Sequence, residues 1–281
     1  MQEPTVSEIE SRYADFLRLL IRMIEARSDM TIPAGLEWQN DGRALAAQFA
    51  FHLHTMGVLN VGSTLVVDGL STRIVDHGSV NVLARSAVEA YIAYAFIFGD
   101  PDTEVCRFRH MAWQLGGLID RQRLTATSAE TIKKQGVEKP LVDALLSELI
   151  VHPLFAKLSP TEQKAMKSGK WTGGRQRQEM AEAVGLHGEY FRNFYHYLCG
   201  YSHSSYAAAL QVRDAGSFEV QRRLSTSILH SMLMVMAHFM TRFAASDESA
   251  AHVLQASPNR MWVERYRFTA DQFDGLYKAA P

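Results

Sequence analysis

Tyr13, Phe16, Leu17, Leu20, Ile21 and Ile24 recur at spacings of three and four, with Arg12, Arg18 and Arg22 largely off that row, so the chain opens on an amphipathic helix. Ser7 and Glu10 stand at capping-box spacing for its start, and Pro33 with Gly35 punctuates its end. The same period predicts a helical region over 42–76, bent near Gly57 and Gly62, up to a break at His77-Gly78. Ser79 then caps a helix over 80–98, which Gly99-Asp100-Pro101 stops. Further helices are expected over 102–124, 141–151, 178–184, 189–210 and 218–245. Polar connections are expected over 125–140, with a short helix inside it, and over 160–177; the tail over 257–281 has room for one short helix. No convincing strand-type alternation exceeds five residues, and no repeat interrupts the pattern. The pattern predicts an all-α protein, one helical domain over 1–281 with its core over about 79–245.

Composition agrees with this picture. Of 281 residues, 47% are hydrophobic and 21% charged, ordinary globular proportions that exclude a disordered chain. Cys106 and Cys199 are the only two cysteines, which excludes a disulfide scaffold and a cysteine-rich zinc site. A net charge of −1 gives no general reason to invoke nucleic acid or membrane. The acidic, polar start lacks the basic and apolar runs of a secretory signal. The apolar stretches 80–98 and 228–243 hold Asn81, Arg85 and Glu89 in one case and His230, His238 and Arg242 in the other, so both read as core helices rather than membrane spans. The expected location is the cytoplasm, with no membrane partner.

Several motif-like stretches carry little chemistry. Gly57 to Thr64 resembles a phosphate loop without its lysine or a preceding strand, and Gly200 to Ser204 resembles a nucleophile elbow without its final glycine. His52 and His54 diverge on a helix, and His196 and His203 stand two turns apart rather than one, so no metal site and no cofactor is expected.

Three segments do carry candidate chemistry. The helix over 80–98 is apolar on every side, yet Asn81, Arg85 and Glu89 recur every four residues along it. Buried charges must be paired, so this stripe is either an internal ion pair fixing helix register or a site in the bundle core. In the helix starting near Glu189, Arg192, His196 and His203 share one face with Cys199 beside them, and Tyr195, Ser202 and Tyr206 form the next row. That face suits anion binding or proton transfer, while the plainer reading has the Tyr and His tips reaching backbone or water. Between Lys157 and Gln178, six basic residues oppose one acid, a local charge of +5 around Trp171 and Gly173-Gly174. Arg175 and Arg177 there could hold a phosphate; a solvated charged face is the alternative.

The segment Trp171-Thr-Gly-Gly-Arg-Gln-Arg177 with Glu179-Met-Ala181 resembles the W-[ST]-G…R-x-[ML]-A stretch of a bacterial family of unknown function. Tyr195-x-x-Leu198-Cys199-x-x-x-His203 is similar to that family's Y-x-x-L-S-x-x-x-H signature, with Cys199 where serine is usual, and Leu83-Ala-Arg85-Ser-Ala-Val-Glu89 to its L-x-R-x-x-x-E helix. The resemblance covers roughly 79–203 and implies an all-helical domain with a shared site of Arg85, Glu89, Tyr195 and His203. More distantly the chain resembles HEPN domains, helical bundles that include dimeric, metal-independent ribonucleases with an R-[polar]-x(3–5)-H motif. Arg192-Asn193 supplies the first half; His196 falls one residue too early for it and His203 too late.

Together these readings predict a single helical bundle with an HEPN-like core and extra helices, acting as a homodimer. Arg85, Tyr195, Trp171, Arg175 and Arg177 are expected to bind a phosphate-containing small molecule or RNA, and His203, His196, Arg192 and Glu89 to carry any acid–base step. The competing expectation is a non-catalytic homo-oligomeric interaction module whose buried polar residues are structural.

Overall fold

A computed structural model describes residues 4–26, 31–269 and 271–273. Among the described residues the fold is all-α apart from one two-stranded hairpin. In chain order the helices are α1 (Val6–Glu25), α2 (Gln39–Val61), α3 (His77–Phe98), α4 (Thr103–Arg123), α5 (Ala129–Val151), α6 (Pro153–Ala156) and α7 (Pro160–Lys167). They continue with α8 (Arg177–Ala183), α9 (Gly188–Ser202), α10 (Tyr206–Asp214), α11 (Phe218–Ser246), α12 (Glu248–Gln255) and α13 (Arg260–Tyr266). Of the expected C-terminal tail, residues 270 and 274–281 lie outside the described residues.

The chain divides into two compact units. The first holds the residues up to Ala95 and those from Ala181 on; α1, α2, α11 and α12 pack together there. Its centre is aromatic: Phe239 of α11 stacks on Phe49 of α2 at 4.4 Å between centroids and lies 4.9 Å from Tyr94 of α3. The second unit, Phe96–Met180, is built on the α4–α5 pair, with Leu115, Leu149, Phe155 and Met166 in its core. Helices α3 and α11 are long and apolar enough to cross a membrane, but in each 67% of the most apolar window is buried inside the protein.

Several boundaries differ from the sequence reading, each for a local reason. The capping box of α1 is Thr5 with Glu8, not Ser7 with Glu10, and Glu10 is turned to internal partners instead. The expected helix over 42–76 stops at Val61, and the rest forms the antiparallel hairpin β1 (Ser63–Val67) and β2 (Leu70–Ile74). Asp68 and Gly69 have φ of 50° and 79°, the two left-handed residues that a tight hairpin turn demands. Asp76 rather than Ser79 starts α3, accepting the Ser79 N–H at 2.9 Å. Helix α5 begins at Ala129 and runs through Pro140, because Ser128 caps it by accepting from the Thr131 N–H. Part of the expected loop over 160–177 is α7, capped by Ser159 and Glu162. The expected helix over 189–210 breaks after Ser202, where Ser204 is left-handed with φ 49° and Ser205 caps α10.

Candidate functional site

The polar stripe of α3 meets α9 in the first unit. Arg85 Nη2 lies 3.3 Å from Glu89 Oε1, one turn along the same helix. From α9, the Tyr195 hydroxyl donates to Glu89 Oε1 and accepts from Arg85 Nε at 3.4 Å. The arginine therefore contacts an acid and a phenol that share one proton bridge. Burial, and then the bond to Glu89, raise the Tyr195 pKa above the ordinary phenol value. Tyr195 is thus a hydrogen-bond donor at neutral pH and not a base. The Tyr195 bond is the main cause holding the Arg85 pKa above its usual value, with smaller contributions from the nearby Cys199 and Glu89.

The triad is not sealed. The side chains of Arg85 and Glu89 are 25% and 33% exposed, so the ion pair reaches water. No hydrogen bond occupies Arg85 Nη1 among the described residues.

One turn further along α9, Cys199 lines a groove of about 560 Å³ between α9 and α10. Its walls include Asn193, His196, His203 and Gln211, and the Tyr201 hydroxyl donates to Gln211 Oε1 at 2.6 Å to tie the two helices together. His203 is the C-cap of α9 and, like His196, is exposed. The structure therefore brings Arg85, Glu89 and Tyr195 into mutual contact, and His196 and His203 onto the wall of an adjoining groove. Cys199 lines that groove and lies near enough to Arg85 to contribute to its electrostatics. The opposite wall, from Ala207 to Gln211, was not expected: it exists because the predicted single helix folds back at Ser204. Ser205 ahead of an apolar run was the available signal.

Arg192 pairs with Glu189 at 3.8 Å on the exposed side of α9. Trp171, Arg175 and Arg177 belong to the second unit. There the Trp171 ring is half-buried, 5.9 Å from Phe96 between centroids, and packs against the core around Leu115. Arg175 lies 3.6 Å from Glu162 and 5.6 Å from the Phe96 ring, so the local acid offsets part of the basic run. Arg177 is exposed at the start of α8. No cluster of three or more histidine, cysteine or acidic side chains suited to a metal ion occurs among the described residues.

Fold and site together define an all-helical protein with an Arg–Glu–Tyr triad shared by two helices and open beside a histidine-walled groove. The chain belongs to a family of unknown function (DUF5677), whose model matches residues 63–219. That span holds the hairpin, the triad, the groove and the whole second unit. No curated protein and no solved structure matches the chain.

Proposed function

We propose that the site shared by α3 and α9 binds a phosphate-bearing ligand, with Arg85 as the partner of the anion. The observation that carries this reading is the half-open triad. Tyr195 and Glu89 hold the guanidinium at one edge, while Nη1 has no hydrogen bond among the described residues. A guanidinium held on one side is pre-organised for a planar, charge-assisted contact on the other. The Tyr195 hydroxyl, by donating to Glu89, offsets part of the carboxylate charge that would repel an anion. His196 and His203 stand in the adjoining groove as candidate proton donors and acceptors. The distant likeness to HEPN domains makes RNA one form such a ligand could take, by fold-level analogy.

The test uses the full chain as wild type, Arg85→Gln and His203→Ala. Binding of a labelled single-stranded RNA is read by fluorescence anisotropy and binding of inorganic phosphate by calorimetry. Expected is wild-type binding to at least one of the two that weakens as salt rises, and at least a tenfold loss in Arg85→Gln with little change in melting temperature. RNA cleavage by wild type that disappears in His203→Ala would extend the reading to an enzyme. Binding indifferent to salt and to Arg85→Gln would overturn it.

One observation favours the second reading, a self-associating interaction module. Leu65, Val66, Val67 and Leu70 of the hairpin are between 53% and 76% exposed, and a two-stranded hairpin is marginal in water by itself. Sedimentation at rising concentration should then show a homodimer that Leu70→Lys weakens; a wild type monomeric throughout would remove this reading.

A further inference from the structure

Away from the triad, the first unit holds a larger cavity of about 820 Å³ where α11, the Val184–Gly188 turn and the segment after α13 meet. Its volume falls within the ~300–1,000 Å³ usual for small-ligand pockets. On its wall, His238 of α11 is 92% buried, with 8% of its surface left exposed. The His238 Nε2 lies 2.9 Å from the Phe268 carbonyl oxygen, which can only accept, so Nε2 carries the hydrogen. Burial lowers the pKa of this imidazole, and the charges of Arg267 and Arg242 add to that against the raising effect of the Phe268 bond, so the ring is neutral at neutral pH. Nδ1 therefore presents a lone pair. It has no hydrogen bond among the described residues, and a Cβ built on Gly185 would stand 3.8 Å from it.

The same cavity is lined by Arg242 and Arg267. Arg242 Nη2 lies 3.4 Å from the Val184 carbonyl, and Arg267 has no ion pair among the described residues. Of the two lining acids, Glu182 packs on the first turn of α9, where a Cβ on Gly188 would lie 1.8 Å from its Oε1. Negative charge is favoured at a helix start, so this carboxylate already has a place. Asp271, on the exposed rim, offers acceptors.

We propose that this cavity is a second ligand site, for an organic anion that also carries hydroxyl groups, such as a sugar phosphate or a sugar acid. Arg267 and Arg242 take the anionic group. His238 Nδ1 accepts a hydrogen bond from a ligand hydroxyl, a role that a bare anion cannot fill and that a protonated imidazole could not play. The site is distinct from the α3–α9 triad and does not depend on it.

The experiment follows the histidine side chains of the full chain by proton–nitrogen NMR, with His238 assigned through His238→Gln. Glucose 6-phosphate and gluconate are the probes; inorganic phosphate and glucose are the halves of the first. Expected is a saturable shift of the His238 Nδ1 signal with glucose 6-phosphate or gluconate, and at least tenfold weaker binding of either half. The preference between the two probes identifies phosphate or carboxylate as the anion. Arg267→Ala should lower the affinity at least tenfold with the melting temperature of the free protein unchanged, since the side chain is exposed, and Arg85→Gln should leave it intact. No movement of the His238 signal with either probe would overturn the proposal. So would inorganic phosphate binding as tightly as both probes, or affinity untouched by Arg267→Ala.

Discussion

The Tyr195 hydroxyl donates to the Glu89 carboxylate across 106 residues of chain, and this bond fixes α9 on the polar stripe of α3. Removing the hydroxyl with Tyr195→Phe leaves Glu89 with Arg85 alone. A hydrogen bond to a charged group contributes ~1.5–3 kcal/mol when enclosed, and partial exposure here brings the expected loss to ~1 kcal/mol. Glu89→Ala, which removes the acceptor, should cost at least as much as Tyr195→Phe by the same reasoning. The double variant should lose clearly less than the two single losses added together, because both remove one shared interaction. Denaturant midpoints of the four proteins measure this; strict additivity would show that the two side chains are not coupled.

Stability should fall on both sides of a plateau in pH. Burial is the first cause raising the pKa of Tyr13, Tyr91, Tyr195, Tyr201 and Tyr266. A phenol whose folded pKa is raised stabilises fully below its unfolded value of about 10 and loses that contribution as pH rises through the folded value. Burial lowers the pKa of His52, His77, His230 and His238. Their contribution is present above the unfolded value of about 6.5 and is lost as pH falls through the folded one. Phenolate absorbance of the buried Tyr13 and Tyr91 should therefore appear together with loss of the helical circular dichroism signal, not before it. Full phenolate absorbance in a still-helical protein would contradict the assignment.

The long helices were legible because their period survives in the sequence, and the misreadings cluster where one or two residues override it. Asp68-Gly69 carries the two left-handed positions of a hairpin, but flanking apolar residues extended the apparent helix across it. Pro140 suggested a boundary; instead Ser128 caps α5 well upstream and the helix passes through. At the site, Arg85 and Glu89 were visible as an i,i+4 pair, whereas their joining to Tyr195 needs a second helix that spacing alone does not place. The His238 cavity was invisible for a different reason: the group that sets its tautomer is the backbone carbonyl of Phe268, which carries no residue-type signal.

Glu10 offers a test of the polar contacts that replaced its expected capping role. It accepts from Arg222 Nε at 2.9 Å, Arg222 Nη2 at 2.6 Å and Asn60 Nδ2 at 2.8 Å, joining α1 to α11 and α2. Asn60 is 3% exposed and cannot recover its lost acceptor from water. Glu10→Ala is expected to destabilise by ~1–3 kcal/mol, the cost of stranding a buried donor. Glu10→Gln keeps an acceptor for Asn60 and should recover a good part of that loss. Thermal melts of both variants decide it, and equal losses would mean the charge on Arg222 matters more than the buried amide.

Phe239 tests what the aromatic centre of the first unit depends on. The ring is fully buried, lies 14° from parallel to Phe49 at 4.4 Å, and has Tyr94 and Phe243 at 4.9 Å and 5.9 Å. Phe239→Ala removes the apolar area and leaves a cavity between α2, α3 and α11, for an expected loss of ~3–5 kcal/mol. Phe239→Leu keeps most of the volume and gives up the ring geometry, so its loss should stay near ~1.5 kcal/mol. Urea unfolding, with the m-value checked for constancy, reads both. If the leucine variant lost as much as the alanine variant, ring stacking rather than buried volume would hold these three helices together.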